Sequence, residues 1–174
     1  MKKFVFPLLL ACLPLCSAPA VFAHETHDHK IEQTDTQFWA QLIVVSEDDA
    51  AEFDRLAEPG PDITRVETAK IGDVVAFKLI FSQMTLRPDQ SADVSFDIEI
   101  TQPDGTLYGG AAHKNVTALS QTVLDRNRIY NSGATLVIGF EPEDPLGVYD
   151  IKMTVLDKVG GHQIVLEETL ALIK

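Results

Sequence analysis

Six residues near the amino terminus carry the side chains best suited to hold a metal ion. The stretch from His24 to His29 reads HETHDH, which places three imidazoles and two carboxylates close together. Neutral imidazole nitrogen is a good ligand for Cu(II), Ni(II) and Zn(II). We therefore name His24, His27 and His29 as candidate ligands for copper, zinc or nickel. The alternative is that this stretch is only a solvated leader without a bound ion.

A more specific copper site would form if His24 became the mature amino terminus. Its α-amine and ring nitrogen could then chelate copper, with His113 or His162 as the second imidazole. Copper carriers and polysaccharide-oxidising enzymes on immunoglobulin-like folds look like this, but their first residues enter a strand at once. Here the polar segment 24–36 intervenes, and a mobile first residue does not hold a rigid site. We expect no copper enzyme.

The sequence contains no motif typical of an enzyme active site. It lacks a Gly-x-Ser-x-Gly elbow, a phosphate-binding glycine loop and a His-Glu-x-x-His zinc motif. Its 26 acidic residues do not single out a carboxylate pair for glycoside hydrolysis. The acids that follow Ser46 do not have the spacing of a calcium loop. An enzymatic function therefore has no support from the sequence.

Residues 1–23 have the pattern of a cleaved secretory signal. Lys2 and Lys3 form a charged start, an apolar run begins at Phe4, and small residues precede a cleavage point after Ala23. Cleavage after Ala20 also fits the pattern. We expect an exported protein, periplasmic or secreted, with a signal at 1–23, a flexible His-rich leader at 24–36 and a β-domain at 37–174.

Both cysteines of the chain, Cys12 and Cys16, lie within this signal. Lipidation at either is disfavoured, because only 11 residues would precede Cys12. The mature chain would then have no disulfide and no cysteine ligand. The chain has 14 basic and 26 acidic residues, and loss of Lys2 and Lys3 changes its net charge from −12 to −14. Such a charge disfavours binding to nucleic acid or to an anionic membrane surface. We expect no membrane span after signal removal.

Alternating apolar and polar residues, separated by turn residues, predict an all-β protein. A helix begins at Ser46, with an apolar face of Ala50, Phe53 and Leu56, and ends before Pro59. The segment Gly109–Gly133 is predicted to be a long connection with a short strand or helical turn. The predicted strands are Phe38–Val45, Val74–Phe81, Val94–Thr101, Thr106–Tyr108, Thr135–Phe140, Tyr149–Val155 and Ile164–Ile173.

The run Pro145-Leu146-Gly147-Val148-Tyr149, preceded by a QPDG turn at 102–105, resembles the late strands of immunoglobulin-like domains in bacterial envelope and extracellular proteins. The resemblance implies an immunoglobulin-like antiparallel β-sandwich of about seven strands with one short inserted helix. It also implies structural roles for Pro145, Gly147 and Tyr149, whose hydroxyl would close a corner while its ring joins the core. The chain departs from the family in lacking the disulfide.

The fold itself does not specify an activity, because this superfamily includes adhesins, chaperones, enzyme accessory domains and carriers. We expect a non-enzymatic binding or accessory module for a protein or a small envelope ligand. Its predicted working surfaces are Gly109–Gly133 and the exposed strands, since functional contacts concentrate on long loops. The alternative is a periplasmic metal-binding or metal-delivery protein that uses His24, His27 and His29.

Overall fold

Two β-sheets stacked face to face enclose the apolar core of this protein. The computed structural model describes residues 37–53 and 64–174. Within these residues the predicted all-β sandwich with one inserted helix is confirmed. The predicted signal, the His-rich leader and Leu56 of the predicted helix face lie outside the described residues.

The described residues form nine strands, one α-helix and one turn of 3₁₀ helix at Tyr108–Gly110. The strands and the helix are β1 (Trp39–Ser46), α1 (Glu47–Phe53), β2 (Thr68–Lys70), β3 (Val74–Ser82), β4 (Ser91–Thr101), β5 (His113–Thr122), β6 (Tyr130–Asn131), β7 (Leu136–Gly139), β8 (Gly147–Asp157) and β9 (His162–Ile173).

The smaller sheet has β3 at its centre, with β1 on one side and both β6 and β7 on the other. β6 and β7 pair with successive parts of β3, so they act as two halves of one interrupted strand. The larger sheet has the order β2-β9-β8-β4-β5, and its pairs are antiparallel except for the parallel pair of β2 and β9. β5 and β7 are therefore edge strands, one in each sheet.

The core is formed by the inward faces of the central strands. On β4 the alternation predicted for Val94–Thr101 is confirmed, because Val94, Phe96, Ile98 and Ile100 are all buried. β8 contributes Tyr149, Ile151, Met153 and Val155, which are likewise buried. The described residues contain no cysteine, so removal of this apolar surface from water is the main driving force for their folding.

The smaller sheet is also covered on its outer face, by α1. The Ser46 hydroxyl accepts a hydrogen bond from the Asp49 amide at 3.1 Å and so caps the helix start. Ala50 of α1 packs with Ala76 of β3 in a small second core. Lys78 is only 1% exposed, donates to the Thr135 hydroxyl at 2.9 Å and lies 5.6 Å from the Phe53 ring centroid. β3 is therefore covered on both faces, as its apolar sequence predicts.

Two sequence predictions about the chain that follows β4 were wrong. Thr106–Tyr108 is not a return strand, since only an isolated bridge between Thr101 and Leu107 precedes the 3₁₀ turn. The true return strand is β5, which occupies ten residues of the predicted Gly109–Gly133 connection. Two register shifts against β4 interrupt its pairing, and Asn115 has a φ of 51°. Such β-bulges disrupt the two-residue period on which a strand prediction rests.

A buried carboxylate ties the β8–β9 turn to the end of β3. Asp157, which is fully buried, accepts hydrogen bonds from the backbone amides of Thr85 at 2.8 Å, Val159 at 3.1 Å and Gly160 at 3.2 Å. A Cβ on Gly160 would collide with the side chains of Thr85, His162 and Asp157. The turn therefore packs closely against the rest of the sandwich.

Candidate functional site: a cleft between two sheet edges

The edge strands β5 and β7 leave an apolar cleft between the two sheets. Two cavities of about 330 and 140 Å³ adjoin there and share Ile98, His113 and Leu136 in their linings. Ile98 and Ile100 of β4 line the larger cavity. Aliphatic residues that face each other elsewhere in the core are here separated by open space.

The lining of the cleft comes from four parts of the chain. Its residues are Phe96, Ile98 and Ile100 of β4, Tyr108, Gly109 and Ala111 at and after the 3₁₀ turn, His113 and Val116 of β5, and Ala134, Thr135, Leu136, Val137, Ile138 and Gly139 in and before β7. Most of these residues are aliphatic or glycine. A pocket with a largely apolar wall and a few polar groups is typical of small-molecule sites.

Tyr108 defines one end of the cleft and is surrounded by hydrogen-bond acceptors. Its hydroxyl donates to the Gly139 carbonyl at 2.7 Å and lies 3.4 Å from Oδ2 of Asp144. The same Asp144 oxygen accepts the Glu141 amide at 2.8 Å. Burial raises the pKa of Tyr108, and the carboxylates of Asp144 and Glu141 raise it further. The hydroxyl therefore keeps its proton, and this end of the cleft has a negative potential.

Local features keep β5 and β7 from pairing with each other or with an added strand. The Gly133 amide donates to the Ala118 carbonyl at 2.8 Å, which occupies part of the β5 edge. Farther along β5, the bulges and the positive φ of Asn115 distort the edge. On β7, the Gly139 carbonyl is occupied by the Tyr108 hydroxyl. Distorted and occupied edges are a common protection against strand addition.

The Pro145–Tyr149 run lies behind the Tyr108 end of the cleft. The Tyr149 hydroxyl donates to the Pro145 carbonyl at 2.9 Å, and the residue is fully buried. Burial first, and then the nearby Asp144 carboxylate, raise the pKa of Tyr149 to about 12. Gly147 has a φ of 141°, and a Cβ there would lie 2.9 Å from the Pro103 ring. The Tyr149 hydroxyl thus bonds to the backbone four residues earlier in the chain, while its ring joins the core.

Three aromatic rings connect this corner to the cleft. Edge-on contacts join Tyr108 to Phe140 at 6.2 Å, Tyr108 to Tyr149 at 6.1 Å and Phe140 to Tyr149 at 5.3 Å between ring centroids. Edge-to-face packing at these distances is favourable. The Tyr108 wall of the cleft is therefore held in place by packing against this corner.

The histidines named from the sequence do not form a site in the described part of the chain. His24, His27 and His29 lie outside the described residues. Among residues 37–53 and 64–174, no group of three or more His, Cys, Asp or Glu could hold a metal ion. His113 faces Ile98 across β4 and β5, whereas His162 pairs with Asp157 on the far side of the same sheet. His113 on β5 and His162 on β9 are three strands apart in the sheet and are offset by four residues along the strands. At ordinary strand spacing and rise, this places them roughly 20 Å apart.

A second depression, of about 470 Å³, lies on the solvent face of the larger sheet. It is lined mainly by polar and charged residues, including Asp150, Lys152 and Glu167. Lys152 lies directly between Glu99 and Glu167 on the neighbouring strands. Because Lys152 faces two glutamates across the strands and the surface is open to water, the depression is a weaker candidate than the apolar cleft.

The working surface predicted from the sequence includes part of the cleft but not its floor. The predicted working segment Gly109–Gly133 does supply Gly109, Ala111, His113 and Val116 to the lining. It did not include the isoleucines of β4 or the aliphatic residues of β7. An inward aliphatic side chain has the same sequence pattern whether it meets another side chain or an open cleft, so no local signal could have identified them.

No family model matches the sequence, and comparison with curated proteins finds no significant relative.

Comparison of structures finds proteins of similar fold at low sequence identity. A family 123 glycoside hydrolase from Clostridium perfringens is 12% identical over 80% of this chain, with a TM-score of 0.45, but only 28% of that enzyme is covered. A CARDB domain from Pyrococcus furiosus, in complex with di-metal ions, is 13% identical over 78% of this chain and 89% of its own, with a TM-score of 0.41.

An immunoglobulin-like protein from Pseudomonas aeruginosa is also similar. It is 10% identical over 80% of this chain and 99% of its own, with a TM-score of 0.34. This chain spans little more than a quarter of the hydrolase. With TM-scores below 0.5, no property of these proteins is transferred to this chain.

The one helix in the described residues is too short and too polar to cross a membrane.

Proposed function

We propose that this protein is an exported, non-enzymatic binding module whose small-molecule ligand occupies the cleft between β5 and β7. The observation that carries the proposal is the preformed apolar cavity of about 330 Å³ between two sheet edges. Cavities from about 300 Å³ upward are the usual size of small-molecule sites. Because the edges of β5 and β7 are distorted or already hydrogen-bonded, they favour a small molecule over an added peptide strand.

The chemistry of the lining supports binding and not catalysis. The titratable side chains that line the cleft are His113 and Tyr108. The Tyr108 hydroxyl is engaged with the Gly139 carbonyl, and its pKa is raised, so it is a poor nucleophile at neutral pH. A hydrolytic site needs a nucleophile and a base within hydrogen-bond reach. The cleft lining supplies aliphatic contact surface instead.

The binding proposal is tested by filling the mouth of the cleft. Ala111 is exposed and lines the larger cavity, so Ala111→Trp would occupy its space without disturbing the core. Val148→Trp is the matched control, because Val148 is 53% exposed on the outer face of β8. The neutral fluorescent probe N-phenyl-1-naphthylamine would be titrated into the wild type and both variants. Thermal melts would confirm that each is folded.

We expect saturable binding by the wild type and by Val148→Trp, and at least about tenfold weaker binding by Ala111→Trp, because loss of even part of the apolar contact is worth more than 1.4 kcal/mol. Equal binding by all three proteins would show that the probe binds elsewhere and would overturn the proposal. A wild type that does not bind the probe would overturn it as well.

We propose as a second candidate function that the leader binds Cu(II) or Zn(II) through His24, His27 and His29. The supporting observation is the sequence itself, with three imidazoles and two carboxylates in six residues. The test compares metal uptake by the mature protein and by a form lacking residues 24–35, which retains His113 and His162 as a control. Uptake that is equal in the two forms excludes the leader as the ligand.

The export part of the proposal rests on the charged, apolar and small-residue pattern of residues 1–23. Intact mass of the protein isolated from its native cells would test it. We expect a chain that begins at His24 after cleavage behind Ala23. A mass that includes residues 1–23 would contradict export by this route.

A further inference from the structure

The cleft is elongated, and its two ends have different linings. Its floor follows β4 from Phe96 to Ile100, which at the rise of a β-strand is about 13 Å. Tyr108 and Gly139 lie at one end, and Ala134 and Thr135 lie at the other. An elongated ligand would therefore place its two ends in different environments.

The Tyr108 end presents acceptors and an aromatic face. The Gly139 carbonyl and the Asp144 carboxylate are both within 3.4 Å of the Tyr108 hydroxyl, which already donates its proton to the carbonyl. The raised pKa of Tyr108, to which the Asp144 and Glu141 carboxylates contribute after burial, reflects the same negative potential. A positive group here would gain from the carboxylates and from the quadrupole of the phenol ring.

The opposite end is mainly apolar. Ala134 and Leu136 line it, and the Thr135 hydroxyl is already occupied by Lys78, whose ammonium lies under α1 on the outer face of the smaller sheet. A hydrocarbon tail would therefore meet apolar surface at this end. The carboxylates near Tyr108 thus orient an amphiphilic ligand with its cation at the Tyr108 end.

We propose that the cleft binds an elongated apolar amine, with its hydrocarbon along Ile98 and Ile100 and its protonated amino group at the Tyr108–Asp144 end. This inference rests on the proposed binding function and gives it a ligand class. The net charge of −12 would also raise the local concentration of organic cations and repel carboxylates. We therefore expect fatty acids of the same length to bind more weakly than the amines.

The test compares three ligands that share one hydrocarbon chain. Decylamine, decanol and decanoate would each displace N-phenyl-1-naphthylamine at low salt and at about pH 8, above the range in which free imidazoles titrate. We expect decylamine to bind at least about fivefold more tightly than decanol, which is the difference expected from one half-exposed charge interaction. Decanoate should bind most weakly of the three. The advantage of the amine should shrink as salt is added.

Two variants locate the charge that the amine recognises. Asp144→Asn keeps an oxygen that can accept the Glu141 amide but removes the carboxylate charge. We expect it to reduce the advantage of decylamine over decanol to about twofold or less, with decanol binding unchanged. Glu99→Gln is the matched control, because Glu99 lies opposite Lys152 on the outward face of β4, and it should keep the full advantage.

The outcomes separate this inference from the proposed function. If the three ligands bind equally and Ala111→Trp weakens all of them, the cleft is a binding site but the amine preference is wrong. An amine advantage that survives Asp144→Asn would overturn the placement of the amino group at Tyr108. If Ala111→Trp affects none of the ligands, the proposed function itself fails.

Discussion

The β8–β9 hairpin and the open side formed by β5 and β7 are built from similar residues but have opposite properties. The hairpin pairs eleven successive residues without interruption, from Gly147 with Leu172 to Asp157 with His162. β5 pairs seven residues with β4 and loses register twice. An unbroken ladder keeps its aliphatic side chains aligned with the opposing sheet, whereas a bulged edge lets the sheets part. The closed side is continuously paired, and the open side contains the candidate site.

The largest effect is expected where the hairpin turn is tied to the rest of the fold. Asp157→Ala removes the acceptor of three backbone amides, including that of Thr85, and should lower the free energy of unfolding by about 4 kcal/mol. Asp150→Ala, an exposed position on the same strand, should change it by less than about 0.5 kcal/mol. Urea unfolding of both variants measures the difference. Similar values for the two would remove the special role of this turn.

The same substitution on the two sides gives the most direct comparison. Leu170→Ala in β9 creates a cavity at a residue that is 1% exposed and should cost about 3 kcal/mol. Leu136→Ala enlarges a cleft that already exists at a half-buried residue, and should cost only about 1 kcal/mol. Urea or thermal unfolding measures both. Equal losses would mean that the cleft side is as tightly packed as the hairpin.

Two glycines distinguish the sides in the same way. Gly147→Ala forces a side chain into a φ of 141° and against the Pro103 ring, which should cost about 2 kcal/mol. Gly133→Ala, beside the cleft, places its Cβ at an ordinary 3.6 Å from the Ala118 carbonyl and should be nearly neutral. Differential scanning calorimetry would show a lowered Tm for the first variant only. A lowered Tm for Gly133→Ala would show that the chain beside the cleft is packed as tightly as the Gly147 turn.

The smallest expected effect concerns the Tyr149 hydroxyl. Tyr149→Phe removes its bond to the Pro145 carbonyl and should cost about 1 kcal/mol at pH 7. Because the folded pKa is about 12, above the usual value of 10.0, the contribution of Tyr149 is complete below pH 10 and is lost as the pH rises toward 12. Urea unfolding between pH 9 and 12 should therefore show a steeper decline in the wild type than in the variant. Parallel declines would contradict this assignment.

The elements that could be predicted from the sequence are those in which local pattern and tertiary environment agree. The alternation of β4 and β8 is regular, so their inward residues were identified correctly. β5 was missed, because its bulges and the positive φ of Asn115 interrupt the pattern, and because an edge strand has few core-facing apolar residues. The return strand was consequently placed too early, at Thr106–Tyr108.

The candidate site shows the same limit. The sequence indicated that Gly109–Gly133 was a working surface, and part of this segment lines the cleft. It could not show that Ile98 of β4 faces Leu136 of β7 across open space, since the two residues are 38 positions apart in the chain. The His-rich leader was visible from composition alone, and its metal binding remains a prediction.

By itself, the sequence determined the all-β class, the central strands and the hairpin, because alternating burial and turn residues act over a few neighbouring positions. Only the tertiary structure decided that the edges of β5 and β7 remain apart and that the Asp144 carboxylate lies beside Tyr108 at one end of the cleft. The physical reason is that a cavity and its potential depend on distances between residues far apart in the chain, on which a local pattern carries no information.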